Sequence, residues 1–361
     1  MLYLLSMMIM CFLLITIFTW RKIYIKTSTM AAVMAIGIIT QGVLTNYFGS
    51  EDISFYGKLL SILNISLWLS FLFSLVLALR NKQFRNIHYE NPINRFGIGT
   101  WIAGTSICSI LICNNFPGWI LFVKYLTVLN ILLWMTYITI SIIALRDIYR
   151  LKLTKDVHGI LLLTTVSTQS LVLLLNTVFN MEMVYYINVF LILMGIILYL
   201  VCLMFIINRY SSNFENFNIE ADWKNTNCIL HGAVSITGLA CIFSHAVHDS
   251  VITVVWVVSA TAFLVVEVIE INRLFKRIKR YGIQKGIFVY DVTQWSRIFT
   301  FGMFYAFTFK SYTGTGWLSQ TQSLVIHIGV WVILLLIIIE LILSMRGILS
   351  SYQWSRMRVK G

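Results

Sequence analysis

The feature that most constrains this chain is a series of apolar stretches, each about as long as a membrane is thick. An α-helix rises 1.5 Å per residue, so about 20 apolar residues cross roughly 30 Å of hydrocarbon. Hydrophobic residues make up 59% of the 361 residues and charged residues only 11%, which excludes an ordinary soluble domain. The sequence predicts an all-α polytopic membrane protein with eleven spans, at 1–20, 30–48, 58–79, 96–114, 122–145, 158–180, 184–208, 227–247, 251–272, 289–309 and 323–345.

The basic residues test these spans, because lysine and arginine concentrate in short cytoplasmic connections. Of the 27 lysines and arginines, all but four lie in every second connection or in the C-terminal tail. The exceptions are Lys58, Lys124 and Lys310, at the span ends on the other side of the membrane, and Arg297, within a span. The pattern predicts a multi-pass protein of the cell membrane, with its N-terminus outside and its C-terminus in the cytoplasm. The net charge of +13 is then a topology signal near anionic headgroups, and we expect no nucleic-acid binding, even by the basic run at 273–285.

Residues that could support chemistry are scattered. The six cysteines form no Cys-x-x-Cys pair, and the chain has no His-Glu-x-x-His motif and no Ser, His and Asp set at one depth. We therefore expect no metal site, no cofactor and no enzymatic activity. Four histidines could relay protons in a symporter, but we interpret them as isolated, mostly interfacial side chains: His231, His245, His248 and His327.

The spans after the first recur in pairs. Pairs begin near 30, 96, 158, 227 and 289, which predicts five helical hairpins behind one extra N-terminal transmembrane helix. In the first four pairs the first helix is rich in small and hydroxyl residues, whereas its partner is bulky, as in LLSILNISLWLSFLFSLVLAL at 59–79. Small residues let membrane helices approach closely, and hydroxyls are tolerated where they pair or meet water. The pattern predicts an inner ring inside an outer one, around either a central space or a solid core.

Four short stretches resemble one known family. They are AAVMAIGIIT at 31–40, NRFGIGTWIAGTS at 94–106, TTVSTQSLVLL at 164–174 and YDVTQWSRIFTFGMF at 290–304. Each is similar to a run in the corresponding helix of the tellurite-resistance/dicarboxylate transporter family, which includes the plant slow anion channels. The resemblance covers about residues 28–346. It divides the chain into an N-terminal anchor at 1–27, a ten-helix domain at 28–346 and a basic cytoplasmic tail at 347–361.

The resemblance implies a fold and a function. The five hairpins would stand in a quasi-fivefold arrangement around a pore for small anions, with one pore in each subunit of a trimer. Relatives are passive anion channels or carriers of malate-like C4-dicarboxylates and sulfite. The family's gating phenylalanine falls at Phe299. The family kinks its inner helices with prolines, but Thr300 stands where the proline after the gate is expected, and the only two prolines, Pro92 and Pro117, lie away from span centres.

Arg297 is a fixed charge inside an apolar span. Counted from residue 289 at 1.5 Å per residue, Arg297 lies about 12 Å deep and Phe299 about 15 Å, near the midplane. An unpaired charge there costs several kcal/mol, so Arg297 either attracts anions at a pore mouth or pairs with a glutamate. We expect Glu267 or Glu340 as the partner, because both lie at a similar depth, whereas Glu270 is nearer the interface.

Neutral polar side chains of the inner helices could line the pore, because conduction needs weak and repeated contacts with the ion. The candidates are Gln41, Thr45, Thr100, Thr168, Gln169 and Thr237. Each could instead bond a neighbouring helix. The favoured hypothesis is transport of small anions through a central pore gated by Phe299. The alternatives are a proton-coupled C4-dicarboxylate or sulfite carrier and a non-transporting structural or sensory membrane protein.

Overall fold

A computed structural model describes residues 2–212, 215 and 217–358. The chain is an all-α polytopic membrane protein, as predicted. Its eleven long helices are α1 (Leu2–Arg21), α2 (Thr27–Phe48), α3 (Ser54–Arg80), α4 (Pro92–Asn115), α5 (Ile120–Arg150), α6 (Gly159–Val178), α7 (Met181–Ser212), α8 (Asn225–Ser244), α9 (Asp249–Gly286), α10 (Gln294–Ser311) and α11 (Ser319–Arg358).

Helix boundaries differ from the predicted spans at a few ends. The predicted tail at 347–361 begins inside α11, whose backbone continues to Arg358, and residues 359–361 lie outside the described residues. Helix α9 continues well beyond the predicted end at 272, with a break in its helical geometry at Gly282 (φ 73°) before it ends at Gly286. The extra turns are basic and polar, so hydropathy alone gives no reason to include them in the helix.

Ten of the eleven helices in the described part of the chain are long and apolar enough to cross a membrane. Helix α10, which corresponds to the predicted span at 289–309, is the exception. It has 18 residues and carries Arg297 and Lys310. Neighbouring helices enclose most of its side chains, so it does not need a fully apolar surface.

The five inner helices contact one another in ring order. Helix α2 contacts α4, α4 contacts α6, α6 contacts α8 and α8 contacts α10, which in turn contacts α2. The inner helices other than α10 are apolar enough to cross a membrane. In each of these four, between 83% and 89% of the most apolar segment is buried. This order of contacts is what the composition of the hairpins predicts. The quasi-fivefold symmetry itself stays a prediction.

The outer helices cover the seams of this ring. Each packs against its own inner partner and against the next inner helix: α3 on α2 and α4, α5 on α4 and α6, α7 on α6 and α8, α9 on α8 and α10, and α11 on α10 and α2. In α5, α7, α9 and α11 only between 17% and 33% of the most apolar segment is buried. Helix α1 lies outside the ring on α3, and only 6% of its most apolar segment is fully buried.

A repeated hydrogen bond ties the two layers together. A buried indole N–H needs an acceptor, and in lipid no water supplies one. Three tryptophans of outer helices each donate to a threonine of the next inner helix: Trp68 to Thr105 at 2.9 Å, Trp134 to Thr168 at 3.0 Å, and Trp256 to Thr308 at 2.9 Å. The recurrence explains why hydroxyl residues are enriched in the inner helices without facing water.

The inner helices begin close together at one end of the ring, which we call the N-terminal end. Four of them open with a tight 3₁₀ turn: Thr27–Met30, Phe96–Ile98, Gly159–Leu162 and Asn225–Cys228. Gly159 lies against the backbone of Thr226 and Asn227, so closely that a Cβ at Gly159 would overlap both. The first turns of α6 and α8 therefore interlock, and only glycine fits at this contact.

Candidate functional site

A cavity of about 740 Å³ opens where the inner helices end, and we call it the vestibule. All five inner helices contribute to its wall, with Gln41 of α2, Asn114 of α4, Asn176 of α6, Leu239 of α8 and Met303 of α10 among the lining residues. The start of α3 completes the rim. The ring therefore encloses a central space in its C-terminal half, as the small-residue pattern suggests.

The chemistry of the vestibule is neutral to basic. Hydroxyl and amide side chains supply its polar surface, and Lys58 and Lys310 lie in its wall. Among the described residues that line it, none carries a carboxylate. Neutral donors can replace part of an ion's hydration shell, and an excess of positive charge raises the local concentration of anions.

A π-helical turn shapes one side of the vestibule. In α2, residues Ile39–Leu44 form this turn, and the hydroxyl of Thr45 donates to the carbonyl of Thr40 at 2.8 Å. Gln41 donates its amide to the carbonyl of Ile110 on α4 at 3.3 Å. Such turns distort a helix locally without proline and recur at functional sites. The turn therefore distorts α2 near its middle although α2 contains no proline.

Phe299 lies one helical turn beyond the vestibule floor, toward the N-terminal end. Met303, Ala306 and Lys310 of α10 line the vestibule, and residues spaced by three, four and seven share one face of a helix. Phe299 continues that face and is 2% exposed. Helix α10 begins at Gln294 and not near 289, so Phe299 lies only about 7.5 Å along it, and the predicted depth near the midplane is wrong. Its place on the inward face is what a gate requires, and the gate itself stays a prediction.

Thr300 packs α10 against α8. Its hydroxyl donates to the carbonyl of Arg297 at 2.9 Å, and its methyl group lies so close to Gly232 that a Cβ there would overlap it. A threonine that bonds back to its own helix tends to bend that helix slightly. Thr300, which stands where the resemblance leads one to expect a proline, therefore packs α10 against α8.

Two of the predicted pore-lining residues, Gln41 and Thr45, line the vestibule. Thr100 lies instead at the N-terminal end, where its hydroxyl is 2.8 Å from the carbonyl of Gly97 and 3.2 Å from that of Thr27. The contact with Thr27 ties the start of α4 to the start of α2, and the contact with Gly97 lies within α4.

The other three predicted lining residues have protein partners. Thr168 accepts the indole of Trp134, and Gln169 donates to the carbonyl of Ile192 on α7 at 3.2 Å, so both face outer helices. Thr237 is mostly buried and donates to the carbonyl of Ala233 one turn earlier. Thr168 and Gln169 therefore contact outer helices instead of the vestibule, although Oε1 of Gln169 is buried without a hydrogen-bond partner among the described residues. Thr237 bonds only to its own helix, so its place in a pore lining stays a prediction.

Arg297 forms an ion pair, but with neither predicted glutamate. Its Nη2 atom lies 2.6 Å from Oε1 of Glu270 on α9, and Arg273 lies 3.5 Å from the other carboxylate oxygen. Trp223, in the connection between α7 and α8, donates its indole to Glu270 at 2.9 Å. This connection covers Glu270, which is only 6% exposed, so its carboxylate is buried although the sequence places it near an interface.

Glu267 and Glu340 have no ion pair with Arg297. Each has an Oε1 atom that is buried without a hydrogen-bond partner among the described residues. Arg297 points toward α9, away from the vestibule face of α10 that Met303 marks. The structure corrects the partner and favours the pairing hypothesis over an anion-attracting Arg297 at a pore mouth.

The ion pair belongs to a larger polar cluster at the N-terminal end. Asn225 accepts a hydrogen bond from Arg273 at 2.5 Å and donates to Asp291 at 3.1 Å and to Thr293 at 3.0 Å. These bonds join the starts of α8 and α10 to α9. The N-terminal end is therefore fixed by charge-assisted hydrogen bonds as well as by close packing.

Buried histidines are a feature that the sequence did not reveal. His231 is fully buried between the rings of Phe263 and Phe301, and among the described residues neither ring nitrogen has a hydrogen-bond partner. His88, outside the spans, is also fully buried, with Nδ1 at 2.9 Å from the hydroxyl of Thr27. Burial lowers the pKa of His88 to about 4. The sequence analysis named His231 but interpreted the four histidines as mostly interfacial, and it did not single out His88; only packing shows that both are buried.

Comparison with known protein families identifies a match over most of the chain. The sequence profile of the family described as voltage-dependent anion channel matches residues 24–345. A search of curated proteins finds no match to the chain. The profile spans all five hairpins and begins after α1, so the extra helix predicted from the sequence also lies outside the matched range.

Proposed function

The chain belongs to the voltage-dependent anion channel family, and from that premise we propose that small anions cross the membrane passively through its ring of inner helices, with Phe299 closing the path. Membership of the family implies anion transport, and it confirms the resemblance to the tellurite-resistance/dicarboxylate transporters. The route, the gate and the passive mechanism are the proposal.

The vestibule is the observation that carries this proposal. Its volume of about 740 Å³ exceeds that of a small hydrated anion, and its wall combines neutral donors with Lys58 and Lys310. In water, a unit charge at about 8 Å contributes about 0.5 kcal/mol of attraction, and low-dielectric walls strengthen it. Weak contacts of this kind concentrate an anion without trapping it.

Phe299 supports a closed path beneath the vestibule. An apolar ring in a narrow passage blocks an ion both sterically and by excluding water, and a rotamer change could open it. The interlocked first turns of α6 and α8 lie farther along the same axis. Opening would therefore require movement of Phe299 together with some separation of the helix starts.

Flux into proteoliposomes tests the proposal, with chloride, nitrate, sulfite and malate offered separately. Phe299→Ala should raise flux of the conducted anion at least about tenfold, since lowering a barrier by about 1.4 kcal/mol changes a rate tenfold. Phe304→Ala is the matched control, because Phe304 stacks on Trp256 and Phe263 of α9. Equal flux in both folded variants would remove Phe299 as the gate.

The same assay separates the alternatives. Trans-acceleration by unlabelled substrate, or flux driven by a proton gradient, would favour a proton-coupled carrier of C4-dicarboxylates or sulfite. Absence of flux for every anion, with the protein folded and Phe299→Ala also silent, would favour a structural or sensory role.

The basic connections support an orientation in the cell membrane with the N-terminal end of the ring in the cytoplasm and the vestibule open to the outside. Labelling of Lys58→Cys by an impermeant thiol reagent on intact cells tests it. The family resemblance also supports a trimer, which the mass of the detergent-solubilised protein measures.

A further inference from the structure

A second cavity, of about 1010 Å³, lies outside the ring of inner helices. Helices α1 and α3 form one of its walls. The opposite wall consists of residues from α11, from the basic C-terminal part of α9 and from the segment that leads into α10. The basic connections predict that this part of α9 lies on the cytoplasmic side. Because α1 precedes the part of the chain that matches the family, this cavity has a wall that the family profile does not include. We call it the lateral cavity.

The part of the lateral cavity within the bundle is apolar. Leu14, Ile17 and Phe18 of α1 face it, and Phe18 stacks on Phe71 of α3 with 6.2 Å between ring centroids. Its deepest wall includes Ala32 of the inner helix α2. Helix α11 contacts α2 at the π turn and at its last turn, where Tyr47 and Phe48 meet the ring of Trp331, whereas the earlier stretch around Ala32 lines the lateral cavity.

The opposite part of the lateral cavity is charged. Its lining contains four basic side chains, Lys26, Arg273, Arg277 and Arg280, against two acidic ones, Glu220 and Asp291. Arg280 lies 3.3 Å from Glu220, and Arg273 lies 3.5 Å from Glu270.

Two of the four basic side chains that line the lateral cavity form no ion pair with another described residue. Arg277 is half-buried and has no ion pair or hydrogen bond within the described part of the chain, and the same holds for the exposed Lys26. A half-buried guanidinium without an anion is unfavourable unless a ligand or water supplies the missing contacts.

We infer that the lateral cavity binds an anionic phospholipid, with its phosphate near Arg277 and Lys26 and an acyl chain along α1 and α3. The apolar wall and the basic end match the two parts of such a molecule, and a soluble phosphate would leave the apolar wall empty. The inference is independent of conduction, since it concerns binding outside the ring.

The site adjoins the helix that carries the proposed gate. Trp295 lines the lateral cavity and lies one helical turn before Phe299 on α10. A bound lipid would therefore contact the start of α10 and restrict its movement. This link rests on the proposed function, whereas the binding site does not.

Lipid binding by the purified full-length protein is measured by native mass spectrometry, with phosphatidylglycerol and phosphatidylcholine offered at equal concentration. We expect retention of phosphatidylglycerol over phosphatidylcholine, and Arg277→Gln should weaken it about fivefold, the effect expected of one basic residue near an anionic headgroup. Lys279→Gln is the matched control, because Lys279 is exposed on the same helix and does not line the lateral cavity.

A second pair of variants tests the apolar wall. Leu14→Trp fills the lateral cavity and should reduce retention, whereas Leu13→Trp on the exposed face of α1 should not. Equal retention in Arg277→Gln and Lys279→Gln, or in the two α1 variants, would overturn the inference. Competition by glycerol 3-phosphate as strong as by the lipid would also overturn it, because the site would then recognise a soluble phosphate.

Discussion

The two halves of the inner ring differ in how their polar groups are used. In the C-terminal half, the amides and hydroxyls of Gln41, Asn114 and Asn176 surround an open vestibule. In the N-terminal half, polar groups bond to neighbouring helices, as in the contacts of Thr100 and Asn225. Amide and hydroxyl side chains therefore line an open cavity at one end of the ring and hold neighbouring helices together at the other.

This difference bears on where the proposed closure lies. The open half ends at the level of Met303, and the cohesive half begins with the interlocked turns of α6 and α8. Phe299 lies between them, on the face of α10 that points into the ring. The proposed gate at Phe299 therefore has an open vestibule on one side and a closely packed frame on the other.

The largest expected effect comes from removing the carboxylate that holds the frame. Glu270→Gln leaves Arg297 and Arg273 without their shared partner, and breaking such a buried pair costs about 3–5 kcal/mol. We expect a large drop in the melting temperature of the detergent-solubilised protein, measured by size-exclusion after heating.

The control for that experiment is the ion pair of Arg280 and Glu220, which is more exposed than the ion pair of Arg297 and Glu270. Glu220→Gln removes the partner of Arg280 and should cost no more than about 1 kcal/mol. Equal melting temperatures for the Glu270 and Glu220 variants would mean that the cluster does not hold the N-terminal end together.

The interlocked turns give the next largest effect. Gly159→Ala forces a Cβ into the backbone of Thr226 and should destabilise the fold by about 1–3 kcal/mol through overpacking. Gly118→Ala, where nothing lies within 4 Å, should be neutral. A neutral Gly159→Ala would show that the starts of α6 and α8 separate easily.

A smaller effect depends on pH. His88 has a pKa of about 4 in the folded protein, below its ordinary value of 6.5, because burial disfavours its charged form. Below about pH 6.5 the histidine takes up a proton in the unfolded chain, whereas in the folded protein it stays neutral until the pH nears 4. The free energy of unfolding is therefore highest above about pH 6.5 and falls by about 1–2 kcal/mol between pH 7 and pH 5. Thermal unfolding across this range should show a steeper loss in the native protein than in His88→Gln, and identical slopes would contradict it.

The smallest effect concerns the open half. Replacing Lys58 and Lys310 together by glutamine should lower anion flux about fivefold at low salt and less at high salt, because mobile ions screen the attraction. Lys124→Gln is the control, since Lys124 is exposed on α5 and does not line the vestibule. A loss that salt does not change would show that the lysines act on structure and not through charge.

Sequence reasoning identified the helices and the inner ring from composition, yet it misjudged several side chains. It expected Thr168 and Gln169 to line a pore, but the helix face of each residue is set by rotation within the bundle, which composition does not record. It also placed Glu270 near the interface and not beside Arg297, because depth was counted from the end of the apolar stretch. Helix α9 continues past that point, and Trp223 covers the carboxylate.

The sequence by itself determined the membrane spans, the pairing into hairpins and the division into small-residue and bulky helices, because apolar length and residue size act locally along the chain. Only the tertiary structure decided which polar groups face the vestibule, which glutamate neutralises Arg297 and where α1 leaves a cavity. These outcomes depend on contacts between residues far apart in the chain, and such contacts arise only when the helices pack.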